Sequence, residues 1–170
     1  DTLKLYYENG QIKVETAIKD GLGNGIYKKW YRNGQLRNEI EYVNGKENGI
    51  YKVWHENGNL SFEGIYKGGN KDGTCKTYHE NGQQKTEKTF RSSKESAEYR
   101  AWNENGQLIK QGILLEDSAG GIYTTWYENG NLKKEVTIKY GQTHIYKTWY
   151  RNGQLEKVYP TLDGNTHGIY

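Results

Sequence analysis

The chain has 170 residues, enough for one domain, and its 24 Lys and Arg against 21 Asp and Glu leave a net charge of +3. A mean hydropathy of −1.08 would suit a disordered chain, but an aromatic content of 14%, mostly Tyr and Trp, supplies large areas to bury. Acids and bases are interleaved, which argues against the basic stripe of a nucleic-acid binder, and no stretch approaches the roughly 20 apolar residues of a spanning helix.

Cys75 is the single cysteine, so no intrachain disulfide can form. The chain lacks Met and starts at Asp1, which reads as a processed form or an excerpt. A removed export signal is compatible with that start and weakly favours an extracytoplasmic location, in the cell envelope or secreted, over the cytoplasm. The richness in Asn, Lys, Ile, Tyr and Glu fits a bacterial AT-rich coding sequence.

In chain order, Asn-Gly recurs at Asn9-Gly10, Asn33-Gly34, Asn57-Gly58, Asn81-Gly82, Asn105-Gly106, Asn129-Gly130 and Asn152-Gly153, at five intervals of 24 residues and one of 23. Such a period marks a repeat array. Asn-Gly tolerates positive φ at both central positions of a type I′ turn, so each unit is expected to be one β-hairpin with a two-residue loop. Trp30, Trp54, Tyr78, Trp102, Trp126 and Trp149 precede the turns. Leu36, Leu60, Gln84, Leu108, Leu132 and Leu155 follow them, and Gly25, Gly49, Gly73, Gly121 and Gly168 mark the connections. Residues Ser93 to Ala97 interrupt the pattern and are expected to form a short distorted loop.

A two-residue loop at Asn33-Gly34 sets Tyr31 opposite Leu36, Trp30 opposite Arg37 and Lys28 opposite Glu39. The same rule pairs Lys4 with Glu15, Lys52 with Glu63 and Lys76 with Glu87; such opposite charges each stabilise a strand pair by about 0.2–1 kcal/mol. Arg100 with Gln111 and Thr124 with Glu135 are weaker versions, and Lys147 with Val158 breaks the pattern. Alternation puts Tyr27, Tyr31, Leu36 and Ile40 on one face and Ile26, Lys28, Trp30, Arg37 and Glu39 on the other. The expected fold is all-β, an elongated single-layer antiparallel meander, twisted and curled, of about seven hairpins and roughly 14 strands in one array over residues 1–170.

Catalytic, cofactor and metal sites are not expected. Cys75 occupies the place of Tyr27, Tyr51, Tyr99 and Tyr123, and reads as a packed substitution; His79 lies four residues further along the strand, roughly 13 Å away. His55 and His79 take the place of Tyr31 in adjacent repeats, roughly 10 Å apart, too far to share one metal ion. His144 and His167 fall in connections and read as solvated. Glu8, Glu56, Glu80, Glu104 and Glu128 stand before their turns as an exposed acidic rim, farther apart than a glycosidase pair.

Units such as Gly49-Ile50-Tyr51-Lys52-Val53-Trp54-His55-Glu56-Asn57-Gly58-Asn59-Leu60, continuing to Glu63-Gly64-Ile65-Tyr66, resemble the variant MORN repeat. In bacteria this repeat is similar to that of a family of toxin–antitoxin antitoxins, and it also occurs in exported and surface proteins. The fifth unit departs most, with Ala97-Glu98 in place of Gly-Ile. The resemblance implies a β-meander used as a scaffold and implies no active site. The expected function is binding of another macromolecule, with a protein the favoured partner. Trp30, Trp54, Tyr78, Trp102, Trp126 and Trp149 are the candidate contact surface. An antitoxin or immunity role that masks a toxin, and binding of a glycan or lipid headgroup at the envelope, are the alternatives.

Overall fold

The computed structural model describes residues 1–91, 94–114, 120–138, 143–162 and 165–166. They fall into two compact units, Asp1–Lys85 with Thr89–Glu95, and Thr86–Lys88 with Ser96–Tyr170. No helix occurs among the described residues. The first unit is built on β1 (Thr2–Tyr6), β2 (Ile12–Lys19), β3 (Leu22–Trp30), β4 (Leu36–Val43), the two-residue β5 (Lys46–Glu47), β6 (Gly49–Trp54), β7 (Leu60–Lys67) and β8 (Asn70–Tyr78), followed by β9 (Gln84–Arg91). The second contains most of β10 (Lys94–Trp102), then β11 (Leu108–Leu114), β12 (Gly121–Trp126), β13 (Leu132–Ile138), β14 (Thr143–Trp149), β15 (Leu155–Leu162) and the short β16 (Asn165–Thr166). Within each unit, strands that follow one another in the chain pair antiparallel, except that β5 pairs with β4 and β4 pairs on with β6, so the fold is the expected all-β hairpin meander. The break expected over Ser93 to Ala97 is shorter than its sequence suggested: the backbone is strand from Lys94, and Ser92 and Ser93 lie outside the described residues.

The Asn-Gly corners are hairpin turns of a different type from the one expected. Gly34 has φ of 86° while Asn33 is not left-handed, which excludes type I′. The Gly34 amide donates to the Tyr31 carbonyl at 3.1 Å and the Tyr31 amide to the Gln35 carbonyl at 2.8 Å. This is a three-residue loop, a type I turn closed by a left-handed glycine. The Asn33 side chain accepts from the Gln35 amide at 2.9 Å, the local bond that makes Asn suitable there. Type I′ geometry occurs instead between hairpins, at Asn44-Gly45, where φ is 51° and 76°, and at Asp20-Gly21, where it is 51° and 78°.

The longer loop corrects the register near each corner and leaves it intact beyond. Trp30 pairs with Leu36, not Arg37, and Arg37 is the extra residue of a bulge, after which Lys29 meets Asn38 and Lys28 meets Glu39. Leu36 therefore shares the face of Trp30 rather than that of Tyr31. Past the bulge, Lys4 meets Glu15, Lys52 meets Glu63, Arg100 meets Gln111, Thr124 meets Glu135 and Lys147 meets Val158, all as expected. The strands between hairpins continue the row, since Glu15 meets Lys28, Glu39 meets Lys52 and Glu63 meets Lys76. The first unit thus carries an unbroken alternation Lys4, Glu15, Lys28, Glu39, Lys52, Glu63, Lys76.

Burial distinguishes the faces. Among the described residues the buried apolar side chains are Val14, Ile40, Cys75 and Ala101, which lie on the Tyr face of their units, Ile40 only 2% exposed. Edge-to-face ring pairs at 5.6–6.0 Å, Tyr27–Tyr42, Tyr51–Phe62 and Tyr51–Tyr66, line that face in the first unit. In the second, Tyr146 stacks on Tyr159 at 5.2 Å. With so few buried aliphatics, aromatic contact across strands takes the place of a two-layer core.

Candidate functional site

On the opposite face of the first unit, Trp30, Trp54 and Tyr78 are half-buried. Trp54 is set against Leu60, and the ladder residues Lys52 and Glu63 come next, followed by the pair Ile50–Ile65. Ile26, Ile50 and Ile65 are 47%, 58% and 45% exposed, so this face offers a row of open aliphatics beside alternating charges. Lys28 reaches Glu39 at 3.3 Å and Lys4 reaches Glu15 at 3.1 Å. In the second unit Trp102, Trp126 and Trp149 are also half-buried, Ile122 and Val158 are exposed on their face, and Lys147 reaches Glu135 at 2.9 Å.

The corners carry a stitch from hairpin to hairpin. The Tyr7 hydroxyl donates to the Trp30 carbonyl at 2.7 Å, Tyr31 to Trp54 at 2.7 Å and Tyr127 to Trp149 at 2.9 Å. His55 makes the same bond through Nε2 to the Tyr78 carbonyl at 3.1 Å. A carbonyl only accepts, so Nε2 carries the proton, and His55 acts as the replacement for Tyr that its position suggested. The turn asparagines add a second bond, Asn33 to the Glu56 carbonyl at 3.1 Å and Asn57 to the Glu80 carbonyl at 2.8 Å. Sequence reasoning missed the role of the bulged residue. Its cation covers the stitching ring, Lys13 over Tyr7, Arg37 over Tyr31 and Lys133 over Tyr127, at 5.3–5.6 Å. The recurring Tyr-x-Asn-Gly-x-x-Lys/Arg spacing is the signal that could have revealed it.

The fifth corner departs. Asn103 stands where Tyr7 and Tyr31 stand, and it bonds its own corner, accepting from the Asn105 and Gln107 amides at 3.0 Å. A wide polar recess of about 640 Å³ opens between that corner and Glu128. The rim glutamates Glu8, Glu56, Glu80, Glu104 and Glu128 are exposed.

A smaller cavity of about 280 Å³ lies on the Tyr face of the first unit, lined by Tyr27, Tyr42 and Tyr51 and by polar groups from β3, β4 and β5. It sits where β4 leaves β6: Tyr42 pairs with Glu47 of β5, and β4 meets β6 only at Asn38–Val53 and Glu39–Lys52. The Tyr42 hydroxyl donates to Glu47 at 3.2 Å, and the Asn38 amide donates to the Tyr51 hydroxyl at 2.6 Å. Burial first, and then the Glu47 charge, push the Tyr42 pKa up to about 12. One repeat later, Phe62 stands in place of Asn38 and Lys71 in place of Glu47. There the Lys71 ammonium covers the Phe62 and Phe90 rings at 5.8 and 5.0 Å.

Cys75 is buried and faces Gly64 across the strands; burial raises its pKa. That is the setting of a packed side chain, not an activated thiolate. Among the described residues no three His, Cys, Asp or Glu side chains are placed to hold a metal ion. His144 belongs to β14, half-buried with its ring 6.3 Å from Tyr146, which corrects its placement in a solvated connection; His167 lies outside the described residues.

Hairpins of one pattern, stitched through their corners and without a convergent acid, base and nucleophile among the described residues, define a β-repeat scaffold. The family model of the MORN repeat variant matches residues 2–20, 24–44, 47–67, 71–91 and 119–140, more than half of the chain, and the chain belongs to that family. Each match spans one hairpin, and the fifth and seventh hairpins are passed over. Repeats of this family commonly serve as non-catalytic binding scaffolds. No curated protein matches the chain.

Proposed function

We propose that the chain is a non-catalytic scaffold that holds a protein partner against the Trp face of its hairpins. The observation that carries this is the exposed row Ile26, Ile50 and Ile65 beside the half-buried Trp30 and Trp54. Open aliphatics next to large aromatics, flanked by charge, have the make-up of an interface centre with a polar rim. The charges alternate in sign, which suits a mixed protein surface better than a polyanion. Trp30, Trp54 and Tyr78 in one unit, and Trp102, Trp126 and Trp149 in the other, are the anchors.

A photo-cross-linking residue at Ile50 tests this in cells of the source organism, with the same residue at Tyr51 as the control on the opposite face. The expected result is one adduct of discrete mass from Ile50, competed by excess unlabelled chain and reduced at least tenfold by Trp54→Ala. An equal adduct pattern from both faces, or none from Ile50, overturns the assignment.

A further inference from the structure

We propose that the cavity on the Tyr face of the first unit binds one residue of a carboxylated sugar, a hydroxylated six-membered ring bearing a single carboxylate. This site uses the opposite face from the protein-binding surface and stands independently of it.

The cavity owes its space to two differences from the joint one hairpin on. Asn38 replaces the ring that Phe62 supplies in the next joint, and Glu47 replaces Lys71, whose ammonium lies over the rings there. At about 280 Å³ it is at the small end of ligand pockets and has room for one ring. Its aromatic wall, Tyr27 edge-to-face with Tyr42 at 6.0 Å, offers ring faces to the C–H surface of a pyranose.

The lining charge selects an anion. Lys29 and Arg37 both border the cavity, and among the described residues neither has a carboxylate within ion-pair distance. Arg37 lies over the Tyr31 ring, which leaves its N–H edge able to donate. Among the described residues Glu47 is the one acid that lines the cavity, and it already accepts from Tyr42. Two cations and one carboxylate leave a net charge of +1, matched by a monoanion; a free cation would be repelled and a dianion would crowd Glu47.

The same wall supplies acceptors. Asn38 spends an N–H on Tyr51, which leaves its carbonyl oxygen open, and Glu47 has its second oxygen. A bare carboxylate would leave those acceptors unmet, whereas ring hydroxyls satisfy them. A neutral sugar would meet the acceptors and leave the cations unanswered.

Amide NMR titration of the whole chain with D-glucuronate, alongside D-glucose and acetate, tests the site. Glucuronate should shift the signals of Tyr27, Asn38 and Tyr51 saturably, with a dissociation constant on the order of 1 mM, the scale suited to a single small ring. Glucose and acetate should each bind at least tenfold more weakly. Arg37→Ala, at an exposed position, should weaken glucuronate at least fivefold. Asn38→Phe, which copies the next joint, should abolish binding while the Trp-face signals stay in place. Absence of saturation by about 20 mM, an equal response to acetate, or undiminished binding in the folded Arg37→Ala chain overturns the proposal. None of these results bears on cross-linking from Ile50.

Discussion

Tyr42 donates its hydroxyl proton to Glu47 on a half-buried wall, and both its burial and that carboxylate oppose ionisation. The folded chain therefore holds this proton up to about pH 12, while an unfolded chain releases it near the usual 10.0. The stability that Tyr42 contributes is fully present below pH 10 and is lost as pH rises through 12. Tyrosinate absorbance should show a late-titrating tyrosine that disappears in Tyr42→Phe. Glu47→Gln should lower its midpoint without returning it to the ordinary value, because burial is the larger cause. Gly64 offers a second test at this scale. A Cβ there would lie 2.7 Å from the Cys75 sulfur and 2.8 Å from the Phe62 ring. Gly64→Ala should cost about 1–3 kcal/mol, measured by urea unfolding, and Cys75→Ala in the same chain should recover part of the loss.

At the scale of the strand pair, the Lys–Glu row is the feature most open to perturbation. Glu39 stands between Lys28 and Lys52. Glu39→Lys would place three like charges in adjacent strands and should cost about 1–2 kcal/mol in thermal unfolding at low salt. The loss should shrink in high salt, as screening weakens exposed charges. That row is also what made the register legible in the sequence, because four Lys–Glu matches at one spacing fix the pairing wherever the strands are regular. The corners were not legible, because Asn-Gly serves a type I′ turn and a type I turn with a left-handed glycine equally well. The two differ by one residue of loop, and a bulge at Arg37 absorbs that residue before Lys28 and Glu39 are reached. The Tyr face cavity was hidden for another reason. It depends on Asn38 and Glu47 occurring together at positions that vary from hairpin to hairpin, and on β4 meeting β5 before β6, which no spacing reveals.

At the scale of the whole molecule, stability accumulates from one hairpin to the next, so a missing stitch has a local cost. Asn103 turns back on its own corner, and Tyr127, one hairpin on, reaches Trp149. Amides in the corner Asn103–Gln107 should exchange with solvent about tenfold faster than those in Tyr127–Asn131, the effect of about one hydrogen bond. Equal exchange would mean that the strands, not the corner bonds, set local stability. The family model passes over this hairpin, as its departure from the pattern would lead one to expect.

The stitches of Tyr7, Tyr31, His55 and Tyr127 all end on main-chain oxygen. The acceptor is present whatever amino acid occupies the receiving position, so a donor imposes no side-chain requirement on its neighbour. Gene duplication can then lengthen such an array one hairpin at a time, and the outward Trp and Ile positions can drift toward new partners without loosening the joint behind them.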